Sequence, residues 1–179
     1  MKFGHSMRRV GVAAALVLAS VAATVSVAAS PASAAPPVAD GVYAIVNVNS
    51  GLCLGTSGFN PGTVITQSTC LPGTGILQRW RFRNLDGADA YEITVWAGGL
   101  CLSIGGSRVD NGAGAVQWRC AGIADQTWHV GPSGAGLAFV NANSRKCLAI
   151  GASSTSPGAW AIQWTCVGAP DQQWVLRPV

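Results

Sequence analysis

The chain has 179 residues, of which 10% are charged, and a formal net charge of +4. Three of its basic residues, Lys2, Arg8 and Arg9, lie at the extreme N-terminus, so residues 35–179 carry eight basic and seven acidic side chains and a net charge of only +1. So few charges form no basic surface, and we therefore expect no nucleic-acid partner.

The N-terminus has the layout of a secretory signal peptide. A basic start precedes an uncharged, mostly apolar stretch at 10–29, and Ala-Ser-Ala at 32–34 is a small-residue cleavage motif. The apolar stretch is near the length that spans a bilayer, so a membrane anchor is the alternative. We expect a signal peptide at 1–34, a short tail at 35–40, and an extracellular protein that has no membrane association after cleavage.

Cleavage after Ala34 makes a direct prediction about the secreted form. N-terminal sequencing of protein recovered from the medium should begin at Ala35 and read Ala-Pro-Pro. An intact N-terminus in the membrane fraction would instead indicate an anchor.

Three similar units of about 47 residues follow the N-terminal segment. Their first cysteines, Cys53, Cys101 and Cys147, are 48 and 46 residues apart, and a second cysteine follows each first one after 17 or 19 residues. Each unit also contains a Gln-x-Trp triplet. The triplets occupy 78–80, 126–128 and 172–174. Several features keep one register, which makes an internal repeat a strong prediction.

Short segments with β-branched and aromatic residues alternate with loops rich in Gly, Pro, Asn and Ser. In chain order these segments are 41–48, 63–69, 79–85, 91–96, 115–120, 127–130, 136–141, 159–166 and 173–179. No helical period of useful length follows residue 34. The pattern predicts an all-β barrel or sandwich. A β-propeller has repeats of similar length, but three blades do not close a ring.

The six cysteines are expected to form disulfides, because an exported protein meets oxidising surroundings. Six cysteines allow about 15 connectivities. Since each unit holds one cysteine of each kind, the simplest pairing lies within the units. It joins Cys53 to Cys70, Cys101 to Cys120, and Cys147 to Cys166. A metal site is the competing use, but there is no short C-x-x-C pair and His129 is the only histidine after residue 34, so we expect no metal and no cofactor.

The thrice-repeated Gln-x-Trp, one disulfide in each unit and the VQWRC segment at 116–120 resemble the ricin B-chain lectin family over 41–179. The resemblance implies a β-trefoil, in which three four-stranded units surround a pseudo-threefold axis. It also places Trp80, Trp128 and Trp174 in the core near that axis, where large aromatic rings can fill the centre of a small barrel.

In this family an aromatic ring stacks on a sugar, while two acids accept hydrogen bonds from its hydroxyls. The resemblance assigns one acid to Asp125 and Asp171, just before the triplet glutamines Gln126 and Gln172. Those glutamines are expected to bond loop backbone, with a secondary role in the site. The alternative for the two aspartates is capping of a turn.

The expected strand register indicates which aromatic residues could stack on a sugar. If each disulfide joins directly opposed residues, Ser103 lies opposite Trp118 and Ala149 lies opposite Trp164. Both tryptophans are then candidate stacking rings, with core packing as the alternative. Trp96 is expected only to pack, in the core or at its rim. The same expectation holds for Trp160.

The chain departs from the family pattern at the other acid, two residues after the first cysteine. That position holds Gly55, Ser103 or Ala149 in the three units. Unit one also has Ser68 in place of the aromatic residue and Leu77 in place of the second acid, so we expect no sugar site there.

The long loop of unit two contains two further polar residues. We expect Asp110 and Asn111 to replace the lost acid in the unit-two site. The corresponding loop of unit three offers only Ser and Thr.

Two functions are compatible with these features, and an enzyme is a third hypothesis to weigh against them. The first is a monomeric, secreted carbohydrate-binding protein that takes galactose- or xylose-type sugars in units two and three. The second is a trefoil with decayed sugar sites that binds protein, inhibits a protease or is structural. An enzyme is not expected, because no motif pairs two carboxylates and His129 has no recognisable nucleophile partner.

Overall fold

The computed structural model describes residues 1–4, 41–71 and 75–179. The predicted signal peptide and tail therefore lie almost entirely outside the described residues. From residue 41 onward, the described residues form no α-helix but twelve β-strands. They are β1 Val42–Asn47, β2 Cys53–Thr56, β3 Ile65–Ser68, β4 Trp80–Asn84, β5 Ala90–Val95, β6 Cys101–Ile104, β7 Ala115–Trp118, β8 Thr127–Ser133, β9 Gly136–Asn141, β10 Cys147–Ile150, β11 Ala161–Trp164 and β12 Trp174–Pro178.

Each unit contributes four of these strands, and its outer two close a six-stranded barrel. The antiparallel pairs β1–β4, β4–β5, β5–β8, β8–β9, β9–β12 and β12–β1 run once around the ring. The inner two strands of each unit form the hairpins β2–β3, β6–β7 and β10–β11. Single bridges join the hairpins to one another: Val64–Val116, Gly114–Ile162 and Thr66–Trp160. This arrangement is the predicted β-trefoil.

Closure of the ring leaves no exposed barrel edge, and the triplet tryptophans fill the interior. Trp80, Trp128 and Trp174 have no solvent exposure. Each indole Nε1 donates to a leucine carbonyl in the hairpin of its own unit. The three acceptors are Leu54 at 2.9 Å, Leu102 at 2.9 Å and Leu148 at 3.1 Å. Each ring therefore supplies apolar area and also ties the barrel to a hairpin.

Short 3₁₀ turns connect the strands beside the hairpins. They are Ile76–Gln78, Gly105–Ser107, Ala124–Gln126, Gly151–Ser153 and Pro170–Gln172. Within the described ranges, no helix has both the length and the apolar character needed to cross a bilayer.

All three predicted disulfides are present. Their Cα–Cα distances are 4.9 Å for Cys53–Cys70, 5.2 Å for Cys101–Cys120 and 5.1 Å for Cys147–Cys166. The described residues contain no free cysteine. Each bridge spans one hairpin and its following loop, so each unit is closed covalently on itself.

The predicted strand register is wrong by two residues. Cys101 lies directly opposite Trp118, Cys147 opposite Trp164, and Cys53 opposite Ser68. The reason is that β7 ends at Trp118, so Cys120 has already left the ladder and its disulfide runs diagonally. A shift of two preserves the side-chain face, because the strand period is two.

Removing one bridge tests how much the disulfides contribute to stability. The double substitution Cys101→Ala and Cys120→Ala should lower the free energy of unfolding by about 3 kcal/mol, because it frees a closed loop of intermediate length in the unfolded chain. Urea unfolding of the variant and the oxidised wild type measures the difference. A change below about 1 kcal/mol would contradict this prediction.

Candidate functional site

Unit two forms an open pocket of about 370 Å³ between its hairpin and its second 3₁₀ turn. Its lining includes Ser103, Ser107, Trp118, Ile123 and Asp125. The hairpin supplies Ser103 and Trp118 on one face, and the turn before β8 supplies Asp125. The two-residue error in register therefore did not separate Ser103 from Trp118.

Unit three forms the equivalent pocket, of about 280 Å³. Ala149, Ser153, Trp164, Asp171 and Gln172 are among its lining residues. The repeat thus places the same pair of chemical groups, an indole ring and a carboxylate, in two pockets.

The pocket tryptophans differ from the triplet tryptophans in burial. Trp118 is 48% exposed and Trp164 is 44% exposed, whereas Trp128 and Trp174 are fully buried. The alternative of core packing is therefore wrong for Trp118 and Trp164. An aromatic face open to a pocket can stack against another flat, partly apolar surface.

The two aspartates are buried, at 4% exposure for Asp125 and 7% for Asp171. Serine hydroxyls donate to their carboxylates. Ser103 Oγ lies 2.6 Å from Asp125 Oδ2, and Ser107 Oγ lies 3.0 Å from Asp125 Oδ1. In unit three, Ser153 Oγ lies 3.0 Å from Asp171 Oδ1. Hydroxyl donors hold each carboxylate in place without neutralising its charge.

Ser107 and Ser153 both adopt a left-handed backbone with φ of 49°. This conformation is costly for residues other than glycine and is concentrated at sites where the surrounding structure enforces it. Its effect here is to turn each hydroxyl back onto the carboxylate of the following 3₁₀ turn.

The carbonyls of the same aspartates join neighbouring units. Asn141 Nδ2 donates to the Asp125 carbonyl at 2.9 Å, and Asn47 Nδ2 donates to the Asp171 carbonyl at 2.9 Å. The aspartate backbone is therefore a structural connection, while its side chain faces the pocket. No side-chain bond from either aspartate to a backbone amide occurs among the described residues, which argues against the turn-capping alternative.

The long loop of the preceding unit packs beside each pocket tryptophan, and in unit two its Gly62 also lines the pocket, a contact that sequence reasoning missed. A Cβ built on Gly62 of unit one would lie 3.3 Å from the Trp118 ring, and one on Gly112 of unit two would lie 3.9 Å from the Trp164 ring. Both glycines have positive φ, of 87° and 85°. The sequence signal that could have indicated this contact is a glycine that recurs in the long loops, at Gly62, Gly112 and Gly158.

Asp110 and Asn111 do not lie in the unit-two pocket, so their predicted role there is wrong. Asn111 Oδ1 accepts from the Thr165 amide at 2.9 Å, which places it in unit three beside Trp164. Asp110 forms a salt bridge with Arg108, and the Arg108 guanidinium holds the pKa of the Asp110 carboxyl below its usual range. The loop crosses to the next unit because β11 binds it: the Gly112 amide donates to the Gln163 carbonyl at 2.9 Å.

The triplet glutamines close the loop between the second cysteine and the 3₁₀ turn. Gln126 Oε1 accepts from the Ala121 amide at 2.8 Å and its Nε2 donates to the Arg119 carbonyl at 2.8 Å. Gln172 makes the matching bonds to the Val167 amide at 2.8 Å and the Thr165 carbonyl at 2.9 Å. Both side-chain amides are thus occupied by loop backbone, although Gln172 also lines its pocket.

Unit one lacks the pocket indole ring, the carboxylate and the serine at the Ser103 position, although Gln78 makes the same loop bonds as Gln126 and Gln172. Ser68 and Leu77 stand where the other units have tryptophan and aspartate, and Gly55 stands in place of Ser103. No 3₁₀ turn lies between β2 and β3, because the loop from Cys53 to Gly62 is two residues shorter than the loop from Cys101 to Gly112. Ser68 Oγ is engaged by Gln78 Nε2 at 2.7 Å.

The remaining tryptophans lie on the surface. Trp96 is 44% exposed and stacks under the Arg81 guanidinium at 4.4 Å, while Trp160 is 60% exposed. Of the two predicted locations, the core is therefore excluded for both residues. Neither lines the pockets of units two and three.

The described residues offer no clear metal or catalytic cluster. Glu92 lies near Cys101 and Cys120, but both sulfurs belong to a disulfide and so present no thiolate. His129 Nδ1 lies 3.1 Å from Asp89 Oδ1 on the surface, and neither residue lines a pocket described above.

The model of the ricin-type β-trefoil lectin domain matches residues 41–174. The chain belongs to this family. Carbohydrate binding is the general property that the lectin fold supports. A comparison with curated protein sequences finds no significant match.

Solved structures of the same fold include natural and designed proteins. The designed threefold-symmetric protein ThreeFoil has a TM-score of 0.74 and 29% identity, over 78% of this chain and 100% of that chain. The Rhizoctonia solani agglutinin has a TM-score of 0.71 and 18% identity, over 82% and 100%. The C-half of an earthworm R-type lectin, solved in complex with GalNAc, has a TM-score of 0.62 and 17% identity, over 78% and 99%.

Proposed function

We propose that the protein is a secreted, monomeric lectin that binds one sugar residue in the pocket of unit two and one in the pocket of unit three. The observation that carries the proposal is the pairing of an exposed indole ring with a buried carboxylate in both pockets. A sugar ring has an apolar C–H face and a rim of hydroxyls. The indole matches the face, and the carboxylate is a charge-assisted acceptor for the rim.

Neutral sugars of the galactose or xylose type fit this chemistry. A negatively charged sugar would be repelled by Asp125 or Asp171, both of which are buried beside the ring that the sugar must contact. The earthworm lectin in complex with GalNAc supports a galactose-type ligand by analogy within the same fold. Two pockets on one chain permit avidity for a branched or polymeric glycan without a dimer.

A glycan array probed with the disulfide-intact protein tests the proposal. We expect binding to neutral glycans that end in galactose- or xylose-type residues, and competition by the free sugars. Reduced and alkylated protein is the control, because it should lose the fold and the signal together.

One observation favours a second candidate, a trefoil that binds a protein partner after its sugar sites have decayed. The position that holds an acid in the family holds Gly55, Ser103 or Ala149 here. An array without a single bound glycan, together with no effect of millimolar galactose or xylose on protein binding, would reject the lectin proposal in favour of this candidate.

A further inference from the structure

The two pocket carboxylates differ in the number of hydroxyls that they already accept. Asp125 accepts from Ser103 at Oδ2 and from Ser107 at Oδ1. Among the described residues, Asp171 accepts only from Ser153, at Oδ1. The difference arises at one position of the repeat, because Ala149, which has no hydroxyl, replaces Ser103 in unit three.

The second oxygen of Asp171 is open to the pocket. Oδ2 of Asp171 receives no hydrogen bond from the described residues, and none of their buried side-chain oxygens lacks a partner. This oxygen is therefore in contact with solvent. Because Asp171 lines the same pocket as Ala149 and Trp164, that solvent reaches it through the pocket.

The equivalent oxygen in unit two is covered. The bond between Ser103 Oγ and Asp125 Oδ2 is buried and 2.6 Å long, and Ser103 itself is 3% exposed. A sugar hydroxyl entering this pocket must share or displace an existing donor, whereas in unit three it finds an unoccupied acceptor. Hydrogen bonds to a charged group are among the stronger ones, so one free acceptor site can dominate the difference.

We propose that unit three holds the dominant sugar site and that the residue at the Ser103/Ala149 position sets the difference between the two pockets. The unit-three ligand is a neutral sugar with a hydroxyl donor on the rim beside its apolar face. Unit two binds the same class of sugar more weakly, mainly through Trp118, and adds avidity. This inference rests on the proposed function.

Titration followed by the indole N–H signals of the tryptophans measures each pocket separately in one protein. The signals of Trp118 and Trp164 are assigned with Trp118→Phe and Trp164→Phe. The probes are methyl β-galactoside and xylobiose. For the sugar that binds, we expect the dissociation constant at Trp164 to be about tenfold lower than at Trp118, as one additional charge-assisted hydrogen bond implies.

Reciprocal substitutions should then reverse the difference in affinity between the two pockets. Ser103→Ala should tighten binding at Trp118 by about tenfold, and Ala149→Ser should weaken binding at Trp164 by a similar factor. Each change leaves the other pocket untouched, so the second indole signal is an internal reference. Ser57→Ala is the matched control, since Ser57 is exposed in unit one and lines neither pocket.

The outcomes separate this inference from the proposed function. Equal dissociation constants in the two pockets, or constants that the reciprocal substitutions leave unchanged, would overturn the inference while leaving the lectin proposal intact. No shift of either indole signal with either sugar, together with a blank glycan array, would overturn both. The unperturbed indole signals of Trp80, Trp128 and Trp174 in each variant show that the fold is kept.

Discussion

Trp174→Ala should lower the free energy of unfolding by about 3–5 kcal/mol, because it empties a fully buried volume at the centre of the barrel. It also removes the indole donor that lies 3.1 Å from the Leu148 carbonyl, leaving that buried acceptor without its partner. This loss is a large share of the roughly 5–15 kcal/mol by which a domain is stable. The melting temperature should fall by about 10 °C or more, as measured by calorimetry.

Trp160→Ala is the matched control, since the same side chain is removed from a position that is 60% exposed. Its effect on unfolding should stay within about 0.5 kcal/mol. Any loss of glycan binding in Trp174→Ala should follow unfolding and recover under conditions that stabilise the fold. A Trp174→Ala protein that is as stable as the control would show that the triplet tryptophan is not the core residue described here.

The double substitution Trp118→Ala and Trp164→Ala should abolish glycan binding while leaving the fold unchanged. Both rings are nearly half exposed, so the melting temperature should change by no more than about 2 °C. Losing a central aromatic contact typically costs about thirtyfold or more in affinity at each pocket. Calorimetric titration with a glycan that the wild type binds gives the affinity, and a thermal melt gives the stability.

The matched control for this pair is Trp96→Ala with Trp160→Ala. It also removes two exposed tryptophans, but neither lines the pockets of units two and three. We expect this control to bind as the wild type does. A folded Trp118/Trp164 variant that retains wild-type affinity would place the sugar elsewhere on the molecule.

These two experiments separate functions that lie a few residues apart in the repeated segments ADQTW and PDQQW. Within 124–128 and 170–174, the aspartate faces a pocket, the glutamine closes a loop and the tryptophan fills the core. A 3₁₀ turn allows this division, because its three residues per turn point successive side chains about 120° apart. The repeated segment therefore contributes both to the core and to the pocket of its unit.

The repeat alone determined the number of units, the β class and the disulfide pairing. These features depend on spacing along the chain: each cysteine pair recurs with its own triplet, and each unit carries the same order of short apolar segments. The pairing of Trp118 with Asp125, and of Trp164 with Asp171, was also available, because the strand register indicated the tryptophans and the family resemblance indicated the aspartates of the same unit.

Contacts between units were decided only by the tertiary structure. The loop that contains Asp110 and Asn111 belongs to unit two in sequence but bonds to Thr165 and packs beside the Trp164 ring of unit three. Spacing within a repeat describes one unit, whereas a threefold assembly packs each long loop against the next hairpin. The strand register also differed from the prediction, because β7 leaves the ladder at Trp118, two residues before Cys120.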